Sequence, residues 1–373
     1  MNLLKVSLLV TSFLSATVTA DNRFTYVNNE IEAFIEENDI PAVTVGVIMN
    51  NEIQYKRAFG ARSRKDPRPL SLDSLFQIGS QSKVLTSYIT LAAVEKEIVR
   101  LDDDLDALLP GLFLSIDKEA LKSITIDSLL SHRSGLPNYP SNVSRTDGDA
   151  MEGGYSETEF LTALKSMSLS FTPGSKFSYS NFNYAVLGYI LTKKTGKTFD
   201  TLVSEYVHDE LGISGIYTQI AAGNADLVTP YRKDNRKIAT RPWNMGLLSP
   251  HGGLYASTDA LLQLMKLQMA AYDDFLNNDQ VSPLVSTQTS YATQLYPGLN
   301  YGYGMFEATE ELGLYPETVM WHGGDLDGYG CEYIFVPGAD VGIVLLTSSG
   351  GKEFVLLARK IMSHLLDNKA SLE

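Results

Sequence analysis

The chain holds one cysteine, Cys331, in 373 residues. That excludes an intrachain disulfide framework and any cysteine-based metal site. Histidine is also scarce. The five histidines do not cluster in sequence and form no H-E-x-x-H pattern, so a metal mechanism finds no support and no cofactor is implied. Positive charge is in deficit, with 30 Lys and Arg against 44 Asp and Glu, a formal net charge of −14. An acidic surface argues against nucleic-acid binding and against adhesion to anionic lipid. Long apolar runs are missing too. After the first segment the longest, around Val341 to Leu346, is strand-sized and too short to span a bilayer.

The first segment stands apart. Lys5 gives a positive start, Val6 to Leu14 is an apolar stretch interrupted by Ser7, Thr11 and Ser12, and Val18-Thr19-Ala20 offers small residues before Asp21. This reads as a cleavable secretory signal peptide over residues 1–20, cut after Ala20. The mature chain, 21–373, is expected in the periplasm or outside the cell. No cysteine lies near the cleavage point, so no lipid anchor is expected.

Periodicity sets out the rest. Phe24, Val27, Ile31, Phe34 and Ile35 fall at helical spacing, and Pro41 ends that helix. Ala42 to Met49 reads as a buried strand, Asn50-Asn51 as a turn and Ile53 to Phe59 as the hairpin partner. The middle is mostly helical. One long helix runs from about Asn181 to Lys194 and stops at Gly196. Ser257 caps another over Ala260 to Ala271. The tail returns to strands at Tyr301–Phe306, Val319–Trp321, Tyr333–Val336 and Val341–Thr347, then closes on an amphipathic helix. The expected fold is α+β: a discontinuous lobe, about 21–75 and 300–373, with an antiparallel sheet flanked by helices, plus a mainly helical lobe at about 80–299.

Three stretches carry chemistry. In Gly79-Ser80-Gln81-Ser82-Lys83, Ser80 and Lys83 are spaced to share a helix face. The following residues are apolar nearly all round, so the lysine is half-buried and its pKa depressed. Such a lysine can take a proton from a serine. Tyr179-Ser180-Asn181 closes an extended segment just before a helix. Tyr179 is either a proton carrier or a core aromatic. Asn181 offers an amide for Lys83 or a substrate carbonyl, or simply caps the helix. His322-Gly323-Gly324-Asp325 lies on a late strand whose small residues let a substrate backbone pair with its edge.

Together these resemble the three motifs of the serine β-lactamase and penicillin-binding-protein superfamily: S-x-x-K, Y-x-N, and a basic residue followed by two small ones. The tyrosine form is similar to the class C β-lactamase branch and its soluble D-alanyl-D-alanine carboxypeptidase and esterase relatives. Ile124-Thr125-Ile126 through Leu136-Pro137 and Gly252-Gly253-Leu254-Tyr255-Ala256-Ser257 resemble two further segments of that family. Lys194-Thr195-Gly196 spells another form of the third motif. It falls at a helix end, where no strand is available to line a nucleophile.

The resemblance implies acyl transfer without a cofactor or metal. Ser80 attacks a carbonyl, Lys83 and Tyr179 share the proton work, and the N–H groups of Ser80 and Asp325 hold the oxyanion. Asn181 positions substrate, His322 and Gly323 face its carboxylate or amide, and Tyr139 lines the acyl pocket. The implied substrate is a small molecule or a peptidoglycan-derived peptide or ester. Histidine in place of the lysine of class C enzymes weakens the pull on a carboxylate, and an acid at Asp325 would repel one if it turned inward. The first expectation is therefore a D-alanyl-D-alanine carboxypeptidase-like hydrolase. The alternatives are a carboxylesterase or weak β-lactamase, and a non-catalytic penicillin-binding receptor.

Overall fold

The two ends of the chain meet in one antiparallel sheet. The computed structural model describes residues 22–66, 68–143, 154–278, 280–287 and 293–369; the expected leader and its cleavage point lie outside the described residues. β1 (Ala42–Met49) is buried throughout and pairs with β2 (Glu52–Gly60). Asn50 and Asn51 both take positive φ between them, the conformation that a tight hairpin turn demands. Two-residue β3 (Phe76–Gln77), β4 (Ile216–Tyr217) and β5 (Tyr255–Ala256) form a small sheet in the order β3-β5-β4. The large sheet resumes with β6 (Thr293–Tyr296), β7 (Leu299–Tyr301), β8 (Phe306–Ala308), β9 (Val319–Leu326), β10 (Tyr329–Val336) and β11 (Val341–Thr347). Its order is β2-β1-β11-β10-β9-β8-β7-β6.

Strand alternation sorts the two faces. Val43, Val45 and Val47 join Ile343 and Leu345 under the terminal helices Asn22–Asn38 and Lys352–Asp367. The last helix buries Phe354, Leu357, Ala358, Ile361 and Leu365, an apolar stripe at helical spacing. On the opposite face Ile48, Val344 and Leu346 join the larger core. There the helix Thr258–Asn278 lies close on the sheet, because Gly46 and Gly342 leave room: a Cβ on either would overlap Leu262 or Met265.

The sheet side thus takes in more of the middle than expected. The helix Thr258–Asn278 packs on β1 and β11, and β6 begins at Thr293. The close seat of the helix depends on Gly46 and Gly342, whose missing side chains have no signature in a periodicity reading. The helix Asn181–Thr195 is buried from Asn181 to Leu191 and ends at Gly196 in the left-handed conformation. Lys194-Thr195-Gly196 is therefore a helix terminus.

Candidate active site

Residues Gly79–Gln81 form one 3-10 turn that runs into the helix Ser82–Glu95. Gly79 has φ of 54°, a backbone state that side chains disfavour. The turn is tied to the Leu254 segment twice: Ile78 N–H donates to the Leu254 carbonyl at 2.9 Å, and Leu254 N–H donates to Ser82 Oγ at 3.1 Å. It is also pressed onto β9. A Cβ on Gly79 would lie 3.0 Å from the Asp325 nitrogen, and one on Gly324 would overlap the Ile78 carbonyl oxygen. The small residues of this strand were expected to admit a substrate backbone. For Gly324 the structure gives a different reason, since it admits the turn that carries Ser80.

Lys83 is fully buried. Its Nζ is 2.6 Å from the His251 carbonyl oxygen, 2.7 Å from Asn181 Oδ1 and 3.1 Å from Ser80 Oγ. The first two partners can only accept. They take two N–H bonds, so the third direction of the nitrogen faces the serine. Burial holds the ammonium well below the usual lysine range. In the neutral amine that third direction is a lone pair aimed at the Ser80 hydroxyl. Tyr179 and Tyr184 present their rings to Nζ at 4.9 and 5.7 Å.

Asn181 takes the first of its options, holding Lys83. Its oxygen holds Lys83, and its Nδ2 donates to Asn138 Oδ1 at 2.9 Å, which also accepts the Asn181 N–H at 3.0 Å. Ser180, not Asn181, caps the helix: its Oγ accepts from the Asn183 N–H. Tyr179 is half-buried. Burial raises its phenol far above the ordinary value, only partly offset by a hydrogen bond with Ser80. It stays a neutral donor.

Beneath Tyr179 lies a network that the sequence did not disclose. The Ser180 N–H donates to His132 Nδ1 at 3.1 Å, so Nε2 carries the imidazole hydrogen and donates to Tyr301 at 3.1 Å. Tyr301 passes the bond to Tyr184 at 3.3 Å, and Tyr184 ends it on the Leu130 carbonyl at 2.9 Å. His132 is buried, its ring 4.4 Å from that of Tyr179, and burial with the nearby Lys83 charge keeps it neutral. Its place in the Leu-Ser-His-Arg-Ser-Gly segment was visible; its bond to the Tyr179 segment was not.

β8 covers only the first part of β9, through Val319, Met320 and Trp321. From His322 onward β9 has β10 on one side and, among the described residues, no strand on the other. Leu326 and Tyr329 flank a two-residue turn and form the closely bonded pair, so Asp325, one step on, points its N–H out of the ladder toward the Ser80 turn. His322 and Gly324 share the face turned to that turn. His322 is buried, its ring 6.3 Å from Tyr179 and 5.6 Å from Phe306. Burial, then the Lys83 charge, pull its pKa down to about 3, so it is neutral. Asp325 turns its carboxylate outward to Lys233 at 2.6 Å. Tyr139 stands edge-on to the His251 ring at 5.4 Å and is close enough to Tyr179 to influence its ionisation.

Ser80, Lys83, Tyr179, Asn181, His322, Gly324, Asp325 and Tyr139, spread over most of the sequence, thus come together in one site; Gly323, one step along the strand, turns to the other face, against Glu332. The sequence reading missed His132, Asn138, Tyr301 and the His251 carbonyl. Only the glycine-rich segment after His251 hinted at the last.

Comparisons with known proteins bear on the fold and the family. A protein named "Beta-lactamase" from Pseudomonas fluorescens is 22% identical over 370 residues, covering 90% of this chain and 97% of that one. A "Putative D-alanyl-D-alanine carboxypeptidase" from Escherichia coli (strain K12) is 26% identical over 281 residues, 65% of this chain and 63% of that protein. Among solved structures, a class C β-lactamase superposes with TM-score 0.77 at 20% identity, over 93% of this chain and 99% of that one. A D-alanine carboxypeptidase from Burkholderia cenocepacia superposes with TM-score 0.74 at 21% identity, over 92% of this chain and 99% of that one. The Beta-lactamase family matches residues 27–366, and with three motifs converging on one serine, the chain belongs to that family.

Proposed function

We propose that the protein is an exported serine hydrolase that works through an acyl-enzyme on Ser80. The observation that carries this reading is the Lys83 nitrogen, 3.1 Å from Ser80 Oγ with its other directions fixed by two pure acceptors. Neutral Lys83 takes the Ser80 proton as Oγ attacks a carbonyl carbon. The N–H groups of Ser80 and Asp325 receive the oxyanion. Tyr179 gives a proton to the leaving group as the tetrahedral intermediate collapses, and recovers one through Lys83. Water then attacks the ester on Ser80 and releases the acid.

Two substrate readings share this chemistry. A D-alanyl-D-alanine carboxypeptidase-like reaction on peptidoglycan-derived peptides is supported by the name of the Escherichia coli relative. Hydrolysis of neutral esters or amides is favoured by the site's electrostatics, since His322 is uncharged and Asp325 is occupied with Lys233. A receptor that only binds is disfavoured by the intact Ser80, Lys83 and Tyr179.

The test applies a labelled penicillin, short-chain esters and D-Ala-D-Ala peptides to wild type and Ser80→Ala. Wild type is expected to form a Ser80 adduct and to hydrolyse at least one class, and the variant to do neither. Full activity in Ser80→Ala overturns the assignment of the nucleophile. For export, protein recovered from the periplasm is expected to begin at Asp21.

A further inference from the structure

A cavity of about 450 Å³ lies apart from the reacting groups, between the helix Asn181–Thr195, the short helix Phe199–Val203 and the segment that leads to His251. None of Ser80, Lys83, Tyr179, Asn181 and His322 lines it. A volume of this order suits a small molecule. Buried Pro250 closes its inner end. A Cβ on Gly188 would overlap Pro250 Cγ at 2.3 Å, so the proline rests against the helix where the glycine has no side chain, and the Phe199 ring lies 3.7 Å from the same point. Tyr189, Phe199 and Leu247 supply the apolar walls. Glu157 and Asp200, both exposed, stand at the mouth, and neither lysine nor arginine lines the cavity.

One side of the mouth shows what such residues hold. The Lys193 ammonium lies 2.8 Å from Glu157 Oε1 and 4.8 Å from the centre of the Tyr189 ring, so a carboxylate and an aromatic face share one cation. Glu157 is thereby committed. The other side repeats the pairing with Asp200 beside Phe199. The Asp200 carboxylate accepts from the Thr218 hydroxyl and, among the described residues, from no ammonium or guanidinium. Lys197, close by in the chain, is held by Glu205 at 2.6 Å. Asp200 therefore keeps acceptor capacity next to an apolar ring, on the wall of a cavity that has no cation of its own.

We propose that this cavity is a second ligand site, taking a small molecule that carries a ring and a protonated amine, with the ring against Phe199 and Leu247 and the ammonium on Asp200. A ring buries apolar surface against these walls. An ammonium finds a carboxylate and an aromatic face together. An anion meets two carboxylates and no cation inside the cavity. The site requires no part of the acyl-enzyme chemistry, so it stands or falls apart from the function proposed above.

The test is calorimetric titration of the protein with tryptamine, neutral N-acetyltryptamine and anionic indole-3-acetate, three ligands that share one ring. Tryptamine is expected to bind about tenfold or more tightly than indole-3-acetate, with N-acetyltryptamine between them. Added salt is expected to shrink the tryptamine advantage. Asp200→Asn keeps an acceptor for Thr218 and removes the charge. It is expected to weaken tryptamine about fivefold, as befits an exposed ion pair, and to leave N-acetyltryptamine unchanged. Leu247→Trp fills the cavity and is expected to abolish binding of both. Equal affinity for tryptamine and indole-3-acetate, or no tryptamine binding at millimolar concentration, overturns the proposal. So does binding that survives Asp200→Asn intact and is lost in Tyr139→Ala, since that places the amine at the catalytic site.

Discussion

Gly79 and Gly324 hold the nucleophile turn and the β9 strand in backbone contact, each filling the space where the other's neighbour would meet a side chain. The contact sets the position of Ser80 relative to the Asp325 N–H. Gly79 additionally needs its positive φ. Gly324 needs only the space, which makes it the cleaner probe.

Gly324→Ala is therefore expected to push the strand from the turn. Overpacking of this kind costs about 1–3 kcal/mol. A misplacement of about 1 Å between reacting groups can cost 10²-fold in rate. Thermal unfolding and ester turnover measured together check this. A variant with normal kcat and normal melting temperature would show that the two backbones can part without consequence.

Asn181→Ala separates the two proton acceptors that the motif leaves open. The Asn181 oxygen supports the charged form of Lys83, so its loss lowers the lysine pKa further. A hydrogen bond to a charged group is worth about 1.5–3 kcal/mol, or roughly one to two pKa units. If neutral Lys83 takes the Ser80 proton, acylation rises with pH through the lysine pKa, and the variant's rising limb moves to lower pH. Burst rates from pH 4 to 10 measure the limb. A limb that stays in place while the rate falls would transfer the role to Tyr179.

His132 acts on catalysis only through the backbone it holds. His132→Phe keeps a ring beneath Tyr179 but strips the Ser180 N–H of its acceptor and Tyr301 of its donor. Unpaired buried groups cost about 1–3 kcal/mol each. The expected result is a lower melting temperature and a fall in kcat larger than the change in KM. His132→Asn, whose amide oxygen can still accept from Ser180, is expected to recover part of kcat. Equal activity in both variants would reduce His132 to core filling.

The fold and the reacting groups were legible because each leaves a local mark. A continuous apolar run marked β1, Gly196 ended its helix, and Ser80 and Lys83 sit three residues apart where a turn runs into a helix. What was hidden depends on partners far away in the chain. The carbonyl that fixes Lys83 belongs to His251, and a carbonyl has no side-chain signature. His132 meets Ser180 and Tyr301 only after the sheet and the helices have packed. Asn181 looked like a cap because asparagine often caps a helix; it is instead the first helical residue, and Ser180 holds the cap, its short hydroxyl reaching the Asn183 N–H while the Asn181 amide oxygen reaches Lys83. The outward turn of Asp325 rests on Lys233, from a loop that sequence alone does not place.

Glu332 offers a stability test away from the reacting groups. It is buried on β10 opposite Gly323, and a Cβ on that glycine would lie 2.9 Å from its Oε1. Burial, reinforced by Asp325 and opposed by Arg359, pushes its pKa up to about 8. The folded protein then keeps a proton that the unfolded chain releases near the ordinary glutamate value. Stability from this group is full below about pH 4.5 and is lost as pH rises toward 8. Glu332→Gln mimics the protonated form and removes that slope. Between pH 5 and 8 wild type is expected to lose up to about 3 kcal/mol relative to the variant. Denaturant melts across that range decide it. Parallel wild-type and variant curves would mean that Arg359 neutralises the carboxylate in the folded state and that Glu332 is ionised behind the β9 strand.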